Sequence, residues 1–368
     1  MLLRSVRLED FRNVVAAAFE PGPRLTVLLG ANGQGKTNLL EAVYLLTTLR
    51  PLRATRLAEL IRFGADRAAA QATVDGPGGA RVIGVTLDAA GRQATLDGQP
   101  VDRLDTYLDG LAAVCFSPDD LLLVKGGPDG RRRLLDRAAW NRWPAVLGEA
   151  REYLRALRAR NAALRGDPGP VEESFRAPLA RAGARMIRRR RDVAVELAPH
   201  LAAAFAGISG GGPRAELSYR PSGGFEADGE EATLEARFAE ALAQRLPRDL
   251  ERGYTSCGPH LDDLLLAVDG RPARVYASQG QQRALVLSLR IAEVENLRAA
   301  LGRPPLLLLD DVSSELDPAK NAFLLDYVAR LPGQAILTAT DRRLIEPAAG
   351  PGTRFLAVVS GAVGALDS

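Results

Sequence analysis

The sequence predicts an α/β fold that is interrupted by a helical insertion. Short apolar strand patterns alternate with helical patterns up to about residue 117 and again from residue 254 onward. The intervening residues are mostly helical in pattern and rich in Arg, Ala, Leu and Glu. We therefore expect one α/β domain formed by residues 1–117 and 254–368, with a helical arm domain at 118–253 inserted into it.

The N-terminal part contains mainly strand patterns and one helical pattern. Apolar and polar residues alternate over 2–11, and 25–30 is a short apolar run that ends in glycine, as is typical of a buried strand. Apolar residues at i, i+3 and i+4 spacing predict a helix over 36–49. Further strands, separated by glycine-rich turns, are predicted at 68–75, 81–88, 92–98 and 111–117.

The pattern becomes helical at about Pro118 and returns to alternation after 254. Clusters of glycine and proline predict breaks in the helical region at 166–170, at 209–213 and near 221–224. In the last part of the chain, strands are predicted at 264–270, 305–311, 333–341 and 354–361, and helices at 279–300 and 318–331.

The composition is that of an ordinary globular protein. The 368 residues are 46% hydrophobic and 25% charged, which excludes a wholly disordered chain and allows two or three domains. No apolar run approaches the roughly 18 residues of a membrane helix, and the first residues lack the apolar core of a signal peptide. Cys115 and Cys257 form neither a disulfide framework nor a metal-binding knuckle, which fits a reducing compartment. We therefore expect a cytoplasmic protein without membrane attachment.

A phosphate-binding P-loop follows the strand at 25–30. The motif G-x-x-x-x-G-K-[ST] is matched in full by Gly30, Ala31, Asn32, Gly33, Gln34, Gly35, Lys36 and Thr37. Backbone N–H groups of such a loop surround a polyphosphate, and the next helix adds the partial positive charge of its N-terminus. Lys36 is one of only three lysines, and we expect it to reach the β- and γ-phosphates while the Thr37 hydroxyl binds Mg²⁺. The chain is therefore expected to bind ATP together with Mg²⁺.

Two carboxylates follow a run of four leucines, Leu306–Leu309. Asp310 and Asp311 would stand at the carboxyl end of a buried strand, the edge at which α/β proteins bind ligands. We expect Asp310 to hold Mg²⁺ through water and Asp311 to orient or deprotonate the attacking water. An acidic pair that caps a core strand is the alternative, but the upstream P-loop favours a Walker B motif. Lys36 and Asp311 are then the predicted catalytic residues.

A second phosphate-binding surface is predicted at the start of the helix at 279–300. Ser278, Gln279 and Gly280 place a hydroxyl and a glycine amide at a helix N-terminus. One nucleotide does not need two such surfaces, and in ATP-binding-cassette heads the second faces the γ-phosphate held by another subunit. An ordinary helix cap is the alternative. Residues 314–317 look like the D-loop of such heads, and Thr340 stands where many of these ATPases have a switch histidine.

The whole chain resembles the RecF family, the bacterial recombination-mediator ATPases of the SMC-like cassette group. The resemblance rests on stretches that occur in order and span almost the full length: 8–13, 30–46, 116–121, 130–136, 153–164, 255–264, 278–285 and 306–317. It implies an ABC/SMC-type P-loop ATPase head with an inserted helical arm domain. The distance from the P-loop to Ser278 is too short for the long coiled coil of true SMC proteins.

The resemblance also implies partners and an activity. It implies an ATP-dependent, head-to-tail homodimer that engages double-stranded DNA near single-strand gaps, with gapped and single-stranded DNA as further ligands. It implies that this dimer works with RecR and RecO to load the RecA recombinase, and that it contributes to the SOS response. The expected enzyme activity is a weak, DNA-stimulated ATPase that acts as a switch rather than as a metabolic enzyme.

Near the first strand, the resemblance implies two further nucleotide contacts. Arg12 and Asn13 would approach the phosphates or the base, although a surface arginine at a strand end is the alternative. The family usually has a tyrosine where this chain has Val14, so the resemblance gives no aromatic stack on adenine from that position. Leu261 replaces a usual arginine, and a basic contact is lost there. Thr340 in place of histidine is normal for RecF-like heads and suggests slow hydrolysis.

Two arginine runs, Arg131–Arg133 and Arg188–Arg191, lie in the predicted arm. Four consecutive positions cover all sides of a helix, so not all four can face one DNA duplex. The runs either contact DNA phosphates without reading sequence or form a solvated face that is paired with nearby acidic residues. The net charge of only +3 does not decide between these interpretations.

Two other functions share part of these motifs. The nucleotide subunit of a membrane transporter would have a P-loop and a Walker B motif, but it predicts LSGGQ, a catalytic glutamate and a switch histidine, which this sequence lacks. A scaffold that binds ATP with negligible turnover is the second alternative, and Asp311 in place of glutamate keeps it open.

Overall fold

A computed structural model describes residues 1–54, 56–76, 78–166 and 171–366, without the side chains of 171–173, 314 and 315. Its contacts divide the chain into two compact units. The first unit consists of Met1–Asp120 and Glu293–Ser368, and the second consists of Leu121–Ala292. Each unit has its own buried apolar core.

The strands of the described chain are β1 (Leu2–Phe11), β2 (Val14–Phe19), β3 (Leu25–Leu29), β4 (Ala68–Gly76), β5 (Gly79–Asp88), β6 (Gly91–Leu96), β7 (Gln99–Pro100), β8 (Ala113–Phe116), β9 (Ala215–Arg220), β10 (Asp263–Val268), β11 (Arg271–Pro272), β12 (Leu306–Asp310), β13 (Ala335–Ala339), β14 (Thr353–Val359) and β15 (Ala362–Ala365).

The helices are α1 (Lys36–Thr48), α2 (Leu104–Leu108), α3 (Leu122–Lys125), α4 (Pro128–Arg142), α5 (Val146–Arg165), α6 (Val171–Ser209), α7 (Glu231–Gln244), α8 (Leu246–Arg252), α9 (Ala273–Tyr276), α10 (Gln279–Leu301), α11 (Val312–Glu315) and α12 (Pro318–Arg330). Short 3₁₀ turns connect several of them. Within the described parts of the chain, none of the helices combines the length and the apolar character needed to cross a membrane.

The first unit packs helix α1 against two six-stranded sheets. One sheet is antiparallel and has the strand order β2-β1-β4-β5-β6-β7. The other has the order β15-β14-β3-β13-β12-β8 and is parallel except for β15. Helix α1 contacts strands of both sheets and buries nearly all of its side chains, which explains why apolar residues surround its middle, residues 39–46.

The register of the parallel sheet brings the predicted nucleotide motifs to one edge. Strand β13 lies between β3 and β12, with Ala339 paired to Leu29 and Thr338 paired to Asp310. The P-loop leaves the carboxyl end of β3, and Asp310 ends β12. Ligands of parallel α/β sheets bind at this carboxyl edge. The strands and helices predicted around both motifs are confirmed.

The second unit is larger than the predicted arm at 118–253, because it also includes residues 254–292. The physical reason is strand pairing: β9, a strand within the region predicted as helical, pairs antiparallel with β10 from Asp263↔Arg220 to Val268↔Ala215. Apolar residues of β10 and of the first half of α10 complete a core with α4 and α6. The return to the head predicted at residue 254 is therefore wrong, and the division falls inside α10.

A fully buried ion pair holds the residues after 253 against this unit. Arg160 on α5 donates to Asp249 on α8 at 2.7 Å, and both side chains are 0% exposed. Arg160 also donates to the Thr255 hydroxyl at 2.9 Å. Asp249 accepts the backbone N–H of Ser256 at 2.9 Å, and Asn161 accepts that of Thr255 at 2.8 Å. Two helices and the segment 254–256 thus share one polar network.

We expect Arg160→Met to lower the free energy of unfolding of the second unit by about 3–5 kcal/mol, because it leaves the Asp249 carboxylate buried without its cation. Arg158→Met is the matched control on the same helix, since Arg158 is exposed, and it should change that free energy by less than about 0.5 kcal/mol. Denaturant unfolding followed by circular dichroism measures both. Equal effects of the two substitutions would contradict the structural role of the pair.

Candidate nucleotide-binding site

The P-loop has the backbone geometry of a phosphate-binding loop. Gly33 and Gly35 have φ values of +80° and +103°, which side chains with a Cβ rarely adopt. A Cβ on Gly35 would lie 2.8 Å from Asn13 Oδ1, and one on Gly30 would lie 2.4 Å from the Val358 carbonyl oxygen. Glycine is therefore favoured at Gly33 by conformation, at Gly30 by a close backbone neighbour, and at Gly35 by both effects.

The turn between β14 and β15 holds the P-loop from the other side. Gln34 Oε1 accepts the backbone N–H of Ser360 at 2.7 Å, and the Gln34 carbonyl accepts that of Gly361 at 2.8 Å. Ala31, Asn32 and Gly33 remain exposed. The loop thus keeps an open side at which a polyphosphate can approach its N–H groups.

Lys36 points back into its own loop. Its Nζ donates to the carbonyl oxygens of Gly30 at 2.7 Å and Ala31 at 2.9 Å. Burial lowers the pKa of Lys36, and the nearby carboxylates of Asp311 and Asp310 oppose that shift. A partly desolvated cation beside an open loop is able to bind a phosphate strongly.

Asp310 accepts three hydrogen bonds at the end of β12. The Thr37 hydroxyl donates to its Oδ1 at 2.7 Å and the Thr338 hydroxyl at 3.1 Å, while an N–H of Arg53 donates to Oδ2 at 2.5 Å. The side chain of Asp310 is 1% exposed. Mg²⁺ prefers hydroxyl and carboxylate oxygens and is usually held by one or two protein ligands together with water and phosphate, so Thr37 and Asp310 fit this ion.

The backbone of Asp311 is held in a rare conformation. Its φ of +48° lies in the left-handed region, and its N–H donates to the Thr338 hydroxyl at 2.8 Å. Thr338 thereby connects both carboxylate residues to β13. Thr340, the predicted switch position, follows β13 and is exposed.

Arg53 is a charged member of the site that the sequence analysis missed. It follows α1 and forms ion pairs with Asp310 at 2.5 Å and with Asp119 at 3.6 Å. Glu41, buried on α1, fixes this loop by accepting the N–H of Leu52 at 3.1 Å and that of Arg53 at 2.9 Å. A single glutamate within the apolar sequence of α1 was the available signal, because a buried carboxylate requires partners.

Arg12 and Asn13 occupy the turn between β1 and β2. The Nε of Arg12 donates to Glu41 Oε2 at 3.0 Å, so the same carboxylate holds Arg12 and the loop of Arg53. Asn13 accepts from the Asn38 side chain at 2.7 Å and lies against Gly35. Val14 is fully buried. A strand bridge pairs Phe11 with Ile61, and two residues after Ile61 the ring of Phe63 is 100% exposed. These contacts place Asn13 beside the P-loop and bind the Arg12 side chain to helix α1 through Glu41.

Ser278, Gln279 and Gly280 belong to the second unit and are exposed. Ser278 Oγ accepts the N–H of Gln281 at 3.2 Å, and Gln281 Oε1 accepts the N–H of Ser278 at 2.9 Å. This reciprocal pair is a capping box for α10. In the predicted D-loop, the side chains of Ser314 and Glu315 lie outside the described residues, and Asp317 caps α12.

The run Arg188–Arg191 is not an open phosphate-binding surface. Its ion pairs join Arg188 to Glu231 at 3.1 Å, Arg189 to Glu149 at 3.0 Å, Arg190 to Asp136 at 2.8 Å and Arg191 to Asp192 at 2.7 Å. The exposed fraction of these four arginine side chains is at most 31%. The predicted pairing with nearby acidic residues is therefore present, but the four arginines are largely buried and stabilise the second unit internally instead of forming a DNA surface or a solvated face.

The other run, Arg131–Arg133, is held by internal contacts except at its last residue. Arg131 is buried, forms a two-pronged ion pair with Asp263 at 2.7 and 3.0 Å, and donates to the Leu123 carbonyl at 2.9 Å. Arg132 donates to the Asp262 carbonyl at 2.7 Å, whereas Arg133 is exposed. Only the last residue of this run is thus open to solvent.

Comparison with known proteins identifies relatives over the full length. The profile of the family described as RecF/RecN/SMC N terminal domain matches residues 2–360. The DNA replication and repair protein RecF of Anaeromyxobacter sp. (strain K) is 68% identical, with 100% of each chain covered. The RecF protein of Myxococcus xanthus is 50% identical over 99% of this chain and 97% of the relative.

Solved structures agree with these relatives. A structure of the recombination mediator protein RecF with ATP, in the RecFOR pathway, has a TM-score of 0.90 at 28% identity and covers 100% of this chain and 98% of that one. The SMC head domain from Pyrococcus furiosus has a TM-score of 0.57 at 15% identity, over 99% and 96% of the chains, and shares the fold alone. The ABC/SMC-type ATPase head predicted from the sequence is confirmed.

We expect Arg53→Ala to lower the Mg²⁺ concentration needed for half-maximal binding of a fluorescent ATP analogue, because the metal no longer competes with a guanidinium for Asp310. Arg56→Ala is the matched control, since Arg56 is exposed three positions further along the same loop. A titration of Mg²⁺ at fixed analogue concentration measures the shift. An unchanged or higher midpoint in Arg53→Ala would show that the ion pair does not oppose the metal.

Proposed function

Since the chain belongs to the RecF family of RecF/RecN/SMC proteins, we propose that its ATP site controls a recombination-mediator function in DNA replication and repair. The observation that carries this proposal is the 2.7 Å contact between Thr37 and Asp310, which joins the P-loop and the Walker B strand at one edge of the sheet.

In this proposal the P-loop residues 30–37 and Lys36 bind the phosphates of ATP, with Asn13 beside the loop and Arg12 supporting it through Glu41. Thr37 and Asp310 hold Mg²⁺, which when bound neutralises charge on the phosphate oxygens. Asp311 orients the attacking water and accepts its proton. Thr340 offers no imidazole to assist this step, so we expect slow turnover of ATP. We further expect duplex DNA to stimulate that turnover.

The exposed start of α10 supports a role between two copies of the chain. Ser278, Gln279 and Gly280 would bind the γ-phosphate of a nucleotide held by the P-loop of a second copy, giving a head-to-tail homodimer with two ATP molecules. We propose that this dimer engages double-stranded DNA near gaps, with gapped and single-stranded DNA as further ligands. RecR and RecO would then act with it in RecA loading and in the SOS response.

The alternatives from the sequence differ from this proposal in measurable ways. A transporter subunit would lack relatives named for DNA repair over its entire length, contrary to the full-length matches of this chain. An ATP-binding scaffold without turnover has the same fold, so the chemistry at Asp311 has to be tested directly.

We expect Lys36→Met to weaken ATP binding by at least roughly ten-fold, because it removes the cation that faces the phosphates. Asp311→Asn should bind ATP with near wild-type affinity but hydrolyse it about 10²-fold more slowly or worse, because the amide cannot accept the proton of the water. Fluorescent-ATP binding and single-turnover hydrolysis measure the two steps, and Lys125→Met, an exposed lysine, is the control. Wild-type hydrolysis by Asp311→Asn would remove Asp311 from the mechanism.

We expect Ser278→Arg to abolish ATP-dependent dimerisation while leaving ATP binding by the monomer nearly intact, because the side chain belongs to the second contact surface and not to the P-loop. Ser218→Arg, at an exposed strand position of the same unit, is the matched control and should dimerise. Sedimentation velocity in the Asp311→Asn background, which retains ATP, measures the association state. A wild-type protein that stays monomeric with ATP at micromolar concentration would refute the dimer.

A further inference from the structure

Helix α5 (Val146–Arg165) directs its acidic and basic side chains to different sides. Glu149 and Glu152 pair with Arg189 at 3.0 Å and Arg185 at 2.6 Å, two arginines of the neighbouring helix α6. The buried Arg160 is held by Asp249. The carboxylates of α5 are thus used for packing within the unit.

The opposite side of α5 is an exposed row of arginines. Arg151, Arg155, Arg158 and Arg165 are exposed and follow one another at spacings of four, three and seven residues. At 3.6 residues per turn these positions fall within an arc of about 80°. The buried side chains of the helix lie on the other side: Val146, Tyr153, Leu157, Arg160 and Leu164. We call this row the α5 arginine face.

The arginine face is not neutralised by acidic neighbours. No carboxylate among the described residues lies within ion-pair distance of Arg151, Arg155 or Arg158, whereas Arg185 and all of Arg188–Arg191 on α6 are paired. Like charges three and four positions apart repel by a few tenths of a kcal/mol per pair. Folding alone therefore gains nothing from this arrangement, and a polyanion would remove the repulsion.

A second segment, 252–255, lies beside the C-terminal half of α5 and carries one cation, Arg252, which follows the exposed Glu251. Asn161 Oδ1 accepts the N–H of Thr255 at 2.8 Å, and the position of a Cβ on Gly253 is 3.0 Å from Arg165 Cγ. Within this segment Arg252 donates to the hydroxyl of Tyr254 at 3.3 Å, and both residues are exposed. Arg252 thus places one further cation near the C-terminal end of α5.

We propose that the α5 arginine face, together with Arg252, binds the phosphate backbone of duplex DNA. From Arg151 to Arg165 the helix rises about 21 Å, the axial length of about six base pairs. Guanidinium groups on a convex helix suit phosphate contacts that do not read sequence. Single-stranded DNA is favoured less, because it binds on successive aromatic rings and the described residues of this face provide only Tyr254. This inference rests on the proposed function and names the DNA-binding surface within it.

The test compares two triple variants of the full-length protein with equal loss of charge. Arg151→Gln/Arg155→Gln/Arg158→Gln removes the face, and Arg214→Gln/Arg220→Gln/Arg271→Gln removes three exposed arginines at the strands β9 and β11 of the same unit. Fluorescence anisotropy is measured with a 30-base-pair duplex and, separately, with one of its single strands. Both titrations contain a non-hydrolysable ATP analogue and run between about 50 and 200 mM salt. Analogue binding and thermal unfolding of all three proteins are recorded alongside.

The first variant should bind duplex DNA at least roughly ten-fold more weakly, and the slope of log affinity against log salt should flatten by about 2–3. The control variant should stay within about two-fold of wild type, and ATP-analogue binding should be unchanged in both. If the first variant unfolds, the single variants Arg155→Gln and Arg155→Lys are compared instead. Lysine keeps the charge that binds a phosphate, so Arg155→Lys should bind duplex DNA more tightly than Arg155→Gln.

Three outcomes overturn the inference. If both triple variants lose the same affinity while the wild type binds duplex DNA, the α5 arginine face is not the specific DNA-binding surface. The proposed function is unaffected by that result. If the first variant loses more affinity for single-stranded DNA than for duplex DNA, the ligand of the α5 arginine face is single-stranded DNA and not the duplex. A wild-type protein without measurable duplex binding in the presence of the ATP analogue overturns the proposed function and this inference together.

Discussion

The buried carboxylate of Asp310 is the constraint that organises the nucleotide site. An ionised carboxylate with 1% exposure is stable only when hydrogen bonds and a cation compensate its lost hydration. Thr37 on α1, Thr338 on β13 and Arg53 after α1 supply them. Because these three groups come from separate elements, the strand order β3-β13-β12 and the position of α1 are both needed to satisfy one side chain.

A second buried carboxylate, Glu41, extends this arrangement to the surroundings of the P-loop. It binds Arg12 from the β1–β2 turn and two backbone N–H groups from the loop of Arg53. Arg53 is thereby held between Asp310 and Asp119. Arg53 thus connects the carboxylate of Asp310 to Asp119, near the end of the first unit's N-terminal segment.

In the second unit, arginine side chains serve three purposes. Arg160 and Arg190 are buried and compensate the buried carboxylates of Asp249 and Asp262, while Arg185 and Arg189 connect α6 to α5. Arginines on the outer side of α5 face solvent. The difference arises from the position of each residue around its helix and from the acidic residues opposite it, so the density of arginine in the sequence does not identify a DNA-binding surface.

By itself the sequence determined the features that depend on neighbours along the chain. The P-loop, the Walker B strand and the alternation of strands and helices are local patterns, because a glycine conformation or an apolar period is set by adjacent residues. Only the tertiary structure decided that Arg53 pairs with Asp310, 257 positions away, and that β9 pairs with β10 and so draws residues 254–292 into the second unit. The ion pairs of Arg188–Arg191 were decided in the same way. Such contacts depend on which helix faces and strands meet after folding, and no spacing in the linear sequence specifies that meeting.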